Sequence, residues 1–155
     1  MGKEIERKFL VKNLDWKPGA AGLPYRQGYL STVKERTVRV RTVGVKGFLT
    51  IKGIGNASGA SRYEWEKEIP LAETEELLKI CEPGVIDKTR HLVNAGAHTF
   101  EVDEFYGENN GLIVAEVELA SETDTFEKPA WLGEEVTGDT RYYNSMLMKH
   151  PFTRW

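Results

Sequence analysis

Apolar and polar side chains alternate with a period of two through most of this chain, and few folds accept that pattern repeated so often. The alternation runs through residues 3–11, 25–33, 36–43, 47–53, 62–70, 85–94, 98–106 and 112–120. Successive side chains of a strand point to opposite faces, so each segment reads as a strand with one apolar and one polar face. Glycine-bearing stretches such as Gly44–Val45–Lys46–Gly47 and Asn109–Asn110–Gly111 lie between segments, where antiparallel hairpins need turns.

Two segments break the rhythm. Leu71, Leu78 and Cys81 predict a helix over 71–81, stopped by Pro83–Gly84. A second helix is expected after Thr137–Gly138–Asp139, with Asp139 as N-cap and Tyr142, Met146 and Leu147 on one side. Phe126–Trp131 reads as a short helix or a loop. A length of 155 residues, with no repeat or linker, predicts one domain over 1–155. About eight strands in such a domain point to a mainly β fold of the α+β class, either a closed barrel or two packed sheets, since closure removes exposed edges.

Composition excludes several classes. With 40% hydrophobic residues and charges balanced at 21 basic against 24 acidic, the chain is no disordered polyelectrolyte. No apolar run reaches the roughly 20 residues of a membrane helix, and the opening Met1–Lys8 lacks the apolar core of a signal peptide. A cytoplasmic protein with no membrane partner is expected, and the single Cys81 fits a reducing compartment. Basic residues alternate with acids instead of forming a stripe, which argues against nucleic-acid binding.

The polar faces are almost purely ionic. They carry Glu4, Glu6 and Lys8; Arg39 and Arg41; Thr50 and Lys52; Glu64, Glu66 and Glu68; Lys88 and Arg90; Glu101 and Asp103; Glu116 and Glu118. On any one strand a solvated face with weak cross-strand pairs, worth about 0.2–1 kcal/mol each, is the simpler reading. Like charges two residues apart on seven strands are another matter, because adjacent carboxylates repel unless a cation lies between them. If these faces point inward, the carboxylates of Glu4, Glu6, Asp103, Glu116 and Glu118 offer hard oxygen ligands suited to Mg²⁺ or Mn²⁺. Lys8, Arg39, Arg41, Lys52, Lys88 and Arg90 offer cations matched to phosphate oxygens. The inward faces would then hold nine acids and six bases, so the chain's net charge of −3 would reside inside.

The order of these residues resembles the CYTH superfamily, the triphosphate tunnel metalloenzymes. Glu4–Ile5–Glu6–Arg7–Lys8 is similar to its ExExK signature. The likeness continues through Arg26–Leu30, Val38–Arg41, Thr50–Lys52, Lys88–Arg90, Glu101–Asp103, Val114–Glu118 and Gly133–Thr137, nearly the whole chain. The resemblance implies an eight-stranded antiparallel tunnel that binds the triphosphate end of a small molecule. It implies metal ligands at Glu4, Glu6, Glu116 and Glu118, with Asp103 as a further ligand or a positioning group. It implies phosphate contacts from Lys8, Arg39, Arg41, Lys52, Lys88 and Arg90. The C-terminal helix around Arg141–Asn144 would close one tunnel end, with Tyr143 where bacterial relatives often carry a lysine.

Other motifs carry less. Gly53–Gly59 is glycine-rich but lacks the Walker lysine and a following helix, and reads as a hairpin loop. His91, His98 and His150 show no metal-ligand spacing, and no nucleophile elbow surrounds a serine. The leading expectation is a metal-dependent hydrolase that splits tripolyphosphate into pyrophosphate and phosphate. Lys8 would steady the phosphates and Glu66 or Glu118 would orient water. The competing readings are a class IV adenylate cyclase, a thiamine or nucleoside triphosphatase, and a non-catalytic polyphosphate-binding module. The sequence leaves open whether the chain is a monomer or a homodimer.

Overall fold

Eight strands of the alternating pattern are present in the computed structural model, which describes residues 2–155 and the side chains from Glu4 onward. They are β1 (Gly2–Val11), β2 (Ala21–Ser31), β3 (Arg36–Val43), β4 (Lys46–Gly53), β5 (Ser61–Ile69), β6 (Ile86–Ala95), β7 (His98–Phe105) and β8 (Ile113–Glu118). β2 begins earlier than the alternation suggested, because Ala21–Pro24 pairs with β6 although its side chains are exposed. The strands are ordered β5-β4-β3-β2-β6-β7-β8-β1, and β1 pairs antiparallel back onto β5. That last pairing decides between the two expected architectures: the sheet is a closed barrel.

β1 changes partner along its length. Ile5 lies opposite Ser61 of β5 on one edge and accepts the Leu119 N–H on the other. Phe9 lies between Ala115 of β8 and Glu135 of a ninth strand, β9 (Leu132–Glu135). β5 and β9 therefore share one edge of β1. Between them single hydrogen bonds continue the wall: Glu6 N–H to the Ala60 carbonyl, Val136 N–H to the Lys8 carbonyl and Lys8 N–H to the Thr137 hydroxyl. Sequence reading missed β9, since four residues that include Gly133 show no period.

Because the lumen is polar, one apolar core lies outside the barrel. Ile5, Phe9, Phe100, Val102, Ala115 and Val117 face outward and are covered by Trp16 from the β1–β2 connection and by Trp131 ahead of β9. Phe126 adds edge-on contacts to Phe9 and Phe100 from a segment that is loop, not helix. Each such large side chain contributes about 1.5–3 kcal/mol when buried. A second cluster fills one end of the barrel. Tyr29, Ile86, Phe105 and Val114 pack there against Val136, Tyr142, Leu147 and Met148.

Helix α1 (Leu71–Lys79) packs across β2–β4 through buried Leu78 and Thr74, and ends two residues before Cys81. The second expected helix is broken. Asp139 does accept the Arg141 N–H, but it caps a 3-10 turn over Thr140–Tyr142. Tyr143 then stands in extended conformation before α2 (Asn144–Leu147). No helix among the described residues is long and apolar enough to cross a membrane.

Gly47 marks the closest approach of α1 to the barrel. A Cβ there would lie 1.8 Å from the Thr74 hydroxyl oxygen and 2.7 Å from Thr74 Cβ. Gly47→Ala is expected to lower stability by about 1–3 kcal/mol, the usual cost of overpacking. Thr74→Ala should relieve it only in part, since the Cβ clash remains; urea denaturation of the single and double variants measures both.

Candidate active site

Alternation along each strand now has a direction. Glu4, Glu6 and Lys8 line a cavity of about 220 Å³ while Ile5 and Phe9 point away from it. Arg39 and Arg41 of β3, Thr50 and Lys52 of β4, and Arg62, Glu64 and Glu66 of β5 face the same space. Arg90, Glu101, Glu116 and Glu118 complete the wall from β6, β7 and β8. Toward one end the inward rows turn apolar, from Glu116 to Val114 and from Lys88 to Ile86, and run into the apolar cluster below Tyr142 and Leu147. The lumen is thus blind at that end, where Tyr29, Tyr143, Asn144 and Ser145 form its floor.

Most lumen cations are held by carboxylates. Lys52 Nζ lies 3.0 and 2.8 Å from the two oxygens of Glu4 and 3.6 Å from Glu64. Arg41 donates to Glu66 at 2.9 Å, Arg39 lies 3.8 Å from the same carboxylate, and the Thr50 hydroxyl donates to it at 2.6 Å. Burial would raise the Glu66 carboxyl, but Thr50, Arg41 and Arg39 together hold it below its ordinary value. Arg41 is pulled down to about 10 by burial and by neighbouring Arg39. Its guanidinium sits 5.3 Å from the Tyr25 ring and 5.6 Å from that of Phe48.

Two expected site residues stand behind the wall. Lys88 has no exposed side-chain surface and donates to Asp103 at 2.6 Å. Arg90 donates to both oxygens of Asp103, at 2.7 and 2.9 Å. All of the Asp103 carboxylate is thereby engaged, so its place is that of an anchor for Arg90, not of an open ligand. Lys88 likewise spends its charge on that carboxylate and does not line the cavity. Burial alone would raise Asp103, yet Arg90 and Lys88 hold it well below the carboxylate range, while burial pulls Lys88 down to about 8.

The remaining acids are short of cations. Across the β1–β8 register Glu6 lies opposite Glu118 and Lys8 opposite Glu116. Burial and the charge of Glu6 raise the Glu116 carboxyl, and a hydrogen bond with Glu6 adds to the effect. Burial and Glu4, Glu101, Glu6 and Glu64 raise Glu118. Crowded carboxylates of this kind fit a divalent cation, whose charge would answer the repulsion. Among the described residues no three acidic, His or Cys side chains converge on one ion position.

The lining differs from expectation at four places. Lys88 and Asp103 leave it, Glu68 is exposed on β5 beyond it, and Arg62 joins it. The count becomes seven acids and six bases, a net −1 where −3 was expected. Arg62 was legible in principle, being two residues before Glu64 on the same face. Asn144 lies in the Arg141–Asn144 segment expected at one tunnel end, whereas Tyr29 and Ser145 carried no signal, because only the closure of the barrel brings them to the lumen.

Comparison with known proteins agrees with this architecture. The model of the CYTH domain family matches residues 2–147. A protein named inorganic triphosphatase from Acetivibrio thermocellus is 51% identical over 98% of this chain and 97% of its own length. One of the same name from Nitrosomonas europaea is 40% identical over 93% of this chain and 95% of its own. A crystal structure of an inorganic triphosphatase superposes with a TM-score of 0.67 at 36% identity, covering 93% of this chain and 96% of that one.

Two outcomes follow from the charges. Glu116 has a raised carboxyl in the fold, so its contribution to stability is complete below its ordinary value of 4.5 and is lost as pH rises through the higher folded value. Without divalent cations, Glu116→Gln should therefore raise Tm at pH 7.5 by about 2–4 °C, the effect of roughly 1 kcal/mol in a domain of this size. The gain should vanish near pH 4.5. Asp103→Asn leaves Lys88 and Arg90 buried with half their partner, and should cost about 3–5 kcal/mol by denaturant unfolding without weakening divalent-cation binding measured by calorimetry.

Proposed function

The chain belongs to the CYTH domain family, and we propose that it is an inorganic triphosphatase, cleaving tripolyphosphate to pyrophosphate and orthophosphate. The observation that carries this reading is a blind lumen of about 220 Å³ lined by six cations and almost nothing apolar. Pockets for drug-sized ligands run to roughly 300–1,000 Å³ and are mostly apolar. A compact polyanion suits this one; an adenine or thiamine ring finds no apolar shelf inside it. The names of the relatives from Acetivibrio thermocellus and Nitrosomonas europaea support the same substrate.

Phosphoryl transfer asks a protein mainly to position and to answer charge. Arg39, Arg41, Lys52, Arg62 and Arg90 would hold the phosphate oxygens, with Lys8 at the floor steadying a terminal phosphate. Asp103 keeps Arg90 in place from behind. Glu66 is committed to Arg41 and Thr50, which suits a group that aims a guanidinium. Glu118 has no cation partner among the described residues, and burial together with the neighbouring carboxylates raises its carboxyl, which strengthens it as a proton acceptor. In this assignment Glu118 orients a water toward the terminal phosphorus and accepts its proton. The bond between that phosphorus and the bridging oxygen breaks, and pyrophosphate leaves. Glu4, Glu6 and Glu116, with Glu118 at their edge, would hold Mg²⁺ or Mn²⁺, which when bound neutralises charge developing on the phosphates.

The assay supplies tripolyphosphate, ATP and thiamine triphosphate in turn with Mg²⁺ or Mn²⁺, and scores phosphate, pyrophosphate and cyclic AMP. Tripolyphosphate is expected to give the highest kcat/KM. Cyclic AMP as the main product from ATP overturns the reading, and binding with no turnover of any substrate favours the non-catalytic module. Glu6→Gln should lower metal-dependent kcat by about 100-fold or more, with Tm of the metal-free protein unchanged or raised.

A further inference from the structure

Two lumen cations share a ring in place of an acid partner, while Arg39, 3.8 Å from its nearest carboxylate, donates to the Thr50 hydroxyl. Lys8 Nζ has its nearest carboxylate, Glu116, at 4.0 Å, and Arg62 has its nearest, Glu4, at 4.0 Å. Among the described residues neither side chain donates a hydrogen bond to an acid, whereas Lys52, Arg41 and Arg90 all do. Both meet one aromatic ring instead: Lys8 Nζ lies 4.6 Å from the centre of Tyr143, and the Arg62 guanidinium 5.6 Å from it.

The backbone is arranged to put that ring there. Tyr143 interrupts the C-terminal helical segment, with φ −71° and ψ 135° between the 3-10 turn and α2. Its ring stands at the gap in the wall where β1 passes from β5 to β9, beside Gly59 and Gly138. Its hydroxyl lies 3.3 Å from where a Cβ on Gly59 would be. Gly59 is in the left-handed region, φ +77°, and a Cβ there would also lie 2.6 Å from Gly138 Cα. Only glycine leaves room for the ring and the two loops together.

We propose that Tyr143 is a positioning residue for substrate binding, holding Lys8 and Arg62 side by side at the floor of the lumen while leaving their N–H groups to phosphate. A carboxylate could hold the same pair, but it would engage their donors and repel the incoming polyanion. The face of an aromatic ring attracts cations without carrying net charge. The ammonium then keeps three donors and the guanidinium up to five, none of them spent on a hydrogen bond to an acid among the described residues. This deepens the triphosphatase reading and rests on it for the identity of the anion.

The test compares Tyr143→Phe with Tyr143→Leu, reading kcat and KM for tripolyphosphate with Mg²⁺ and, independently of turnover, the rise in Tm that tripolyphosphate produces. Leu is expected to raise KM about tenfold, as loss of two cation–π contacts implies, with the loss falling on KM more than on kcat and a smaller ligand-induced rise in Tm. Phe, which keeps the ring, should stay within about twofold of the parent. Should the Leu protein fail to fold, fluorinated phenylalanines at position 143 weaken the ring's electrostatics at nearly constant volume, and KM should climb with each fluorine. A KM for Leu equal to the parent's, a Phe variant as weak as Leu, or a flat fluorine series overturns the proposal. If tripolyphosphate raises Tm in the parent without being hydrolysed, the hydrolase reading fails while the Tm comparison still decides the role of Tyr143.

Discussion

Removing a charge from water costs several kcal/mol unless another group answers it, and this barrel directs thirteen charged side chains into one lumen. The fold depends on how they answer each other. Glu4 takes Lys52, Glu66 takes Arg41 and approaches Arg39, and Asp103 takes Lys88 and Arg90 from behind. What remains is a surplus of two kinds, carboxylates at Glu6, Glu116 and Glu118 and cations at Lys8 and Arg62. The first surplus calls for a metal ion and the second for an anion. Both lie along β1 and the strands beside it, β5 and β8, so the unanswered charges and the proposed chemistry occupy the same place.

That place is also where the barrel is least regular. β1 leaves β5 and takes up β9 across residues 6–8, and the wall there is completed by two loops in contact at Gly59 and Gly138. A regular strand would bring another backbone ladder to this edge. The loops bring Tyr143 instead, together with the Thr137 hydroxyl that accepts the Lys8 N–H at 2.9 Å. The loop before β5 is tied down by Glu122, whose carboxylate accepts from Asn56, Ser58 and Ser61. The apolar plug beyond the floor keeps water out of that end and makes the cavity a cup, not an open passage.

Much of this is legible in the sequence. Eight strands, helix α1 and the inward set Glu4, Glu6, Lys8, Arg39, Arg41, Lys52, Glu116 and Glu118 followed from a period of two and from the ionic character of one face. Lys88 and Asp103 share the charged faces of their strands but pair with each other, and Asp103 also with Arg90, outside the cavity lining. Periodicity gives the face of a side chain, not the depth at which its charge is neutralised. Arg62 was overlooked although it continues the face of Glu64 and Glu66. β9 was overlooked because four residues are too few to show a period, and the break at Tyr143 because capping at Asp139 marks where a helical turn starts but not how far it runs.

The sequence by itself determined the inventory: which strands exist, which residues share a face, and that the shared face is ionic enough to ask for a metal and a polyanion. These follow from chain-local geometry, since a strand reverses its side chains at every residue whatever lies beside it. Only the tertiary structure decided which charges meet. Pairing across strands depends on register and closure, and an ion pair at 2.6 Å differs in kind from one at 4.0 Å. Closure turned a set of charged faces into a blind cup, moved Asp103 and Lys88 out of reach, and brought Tyr143 from far along the chain to stand over Lys8 and Arg62.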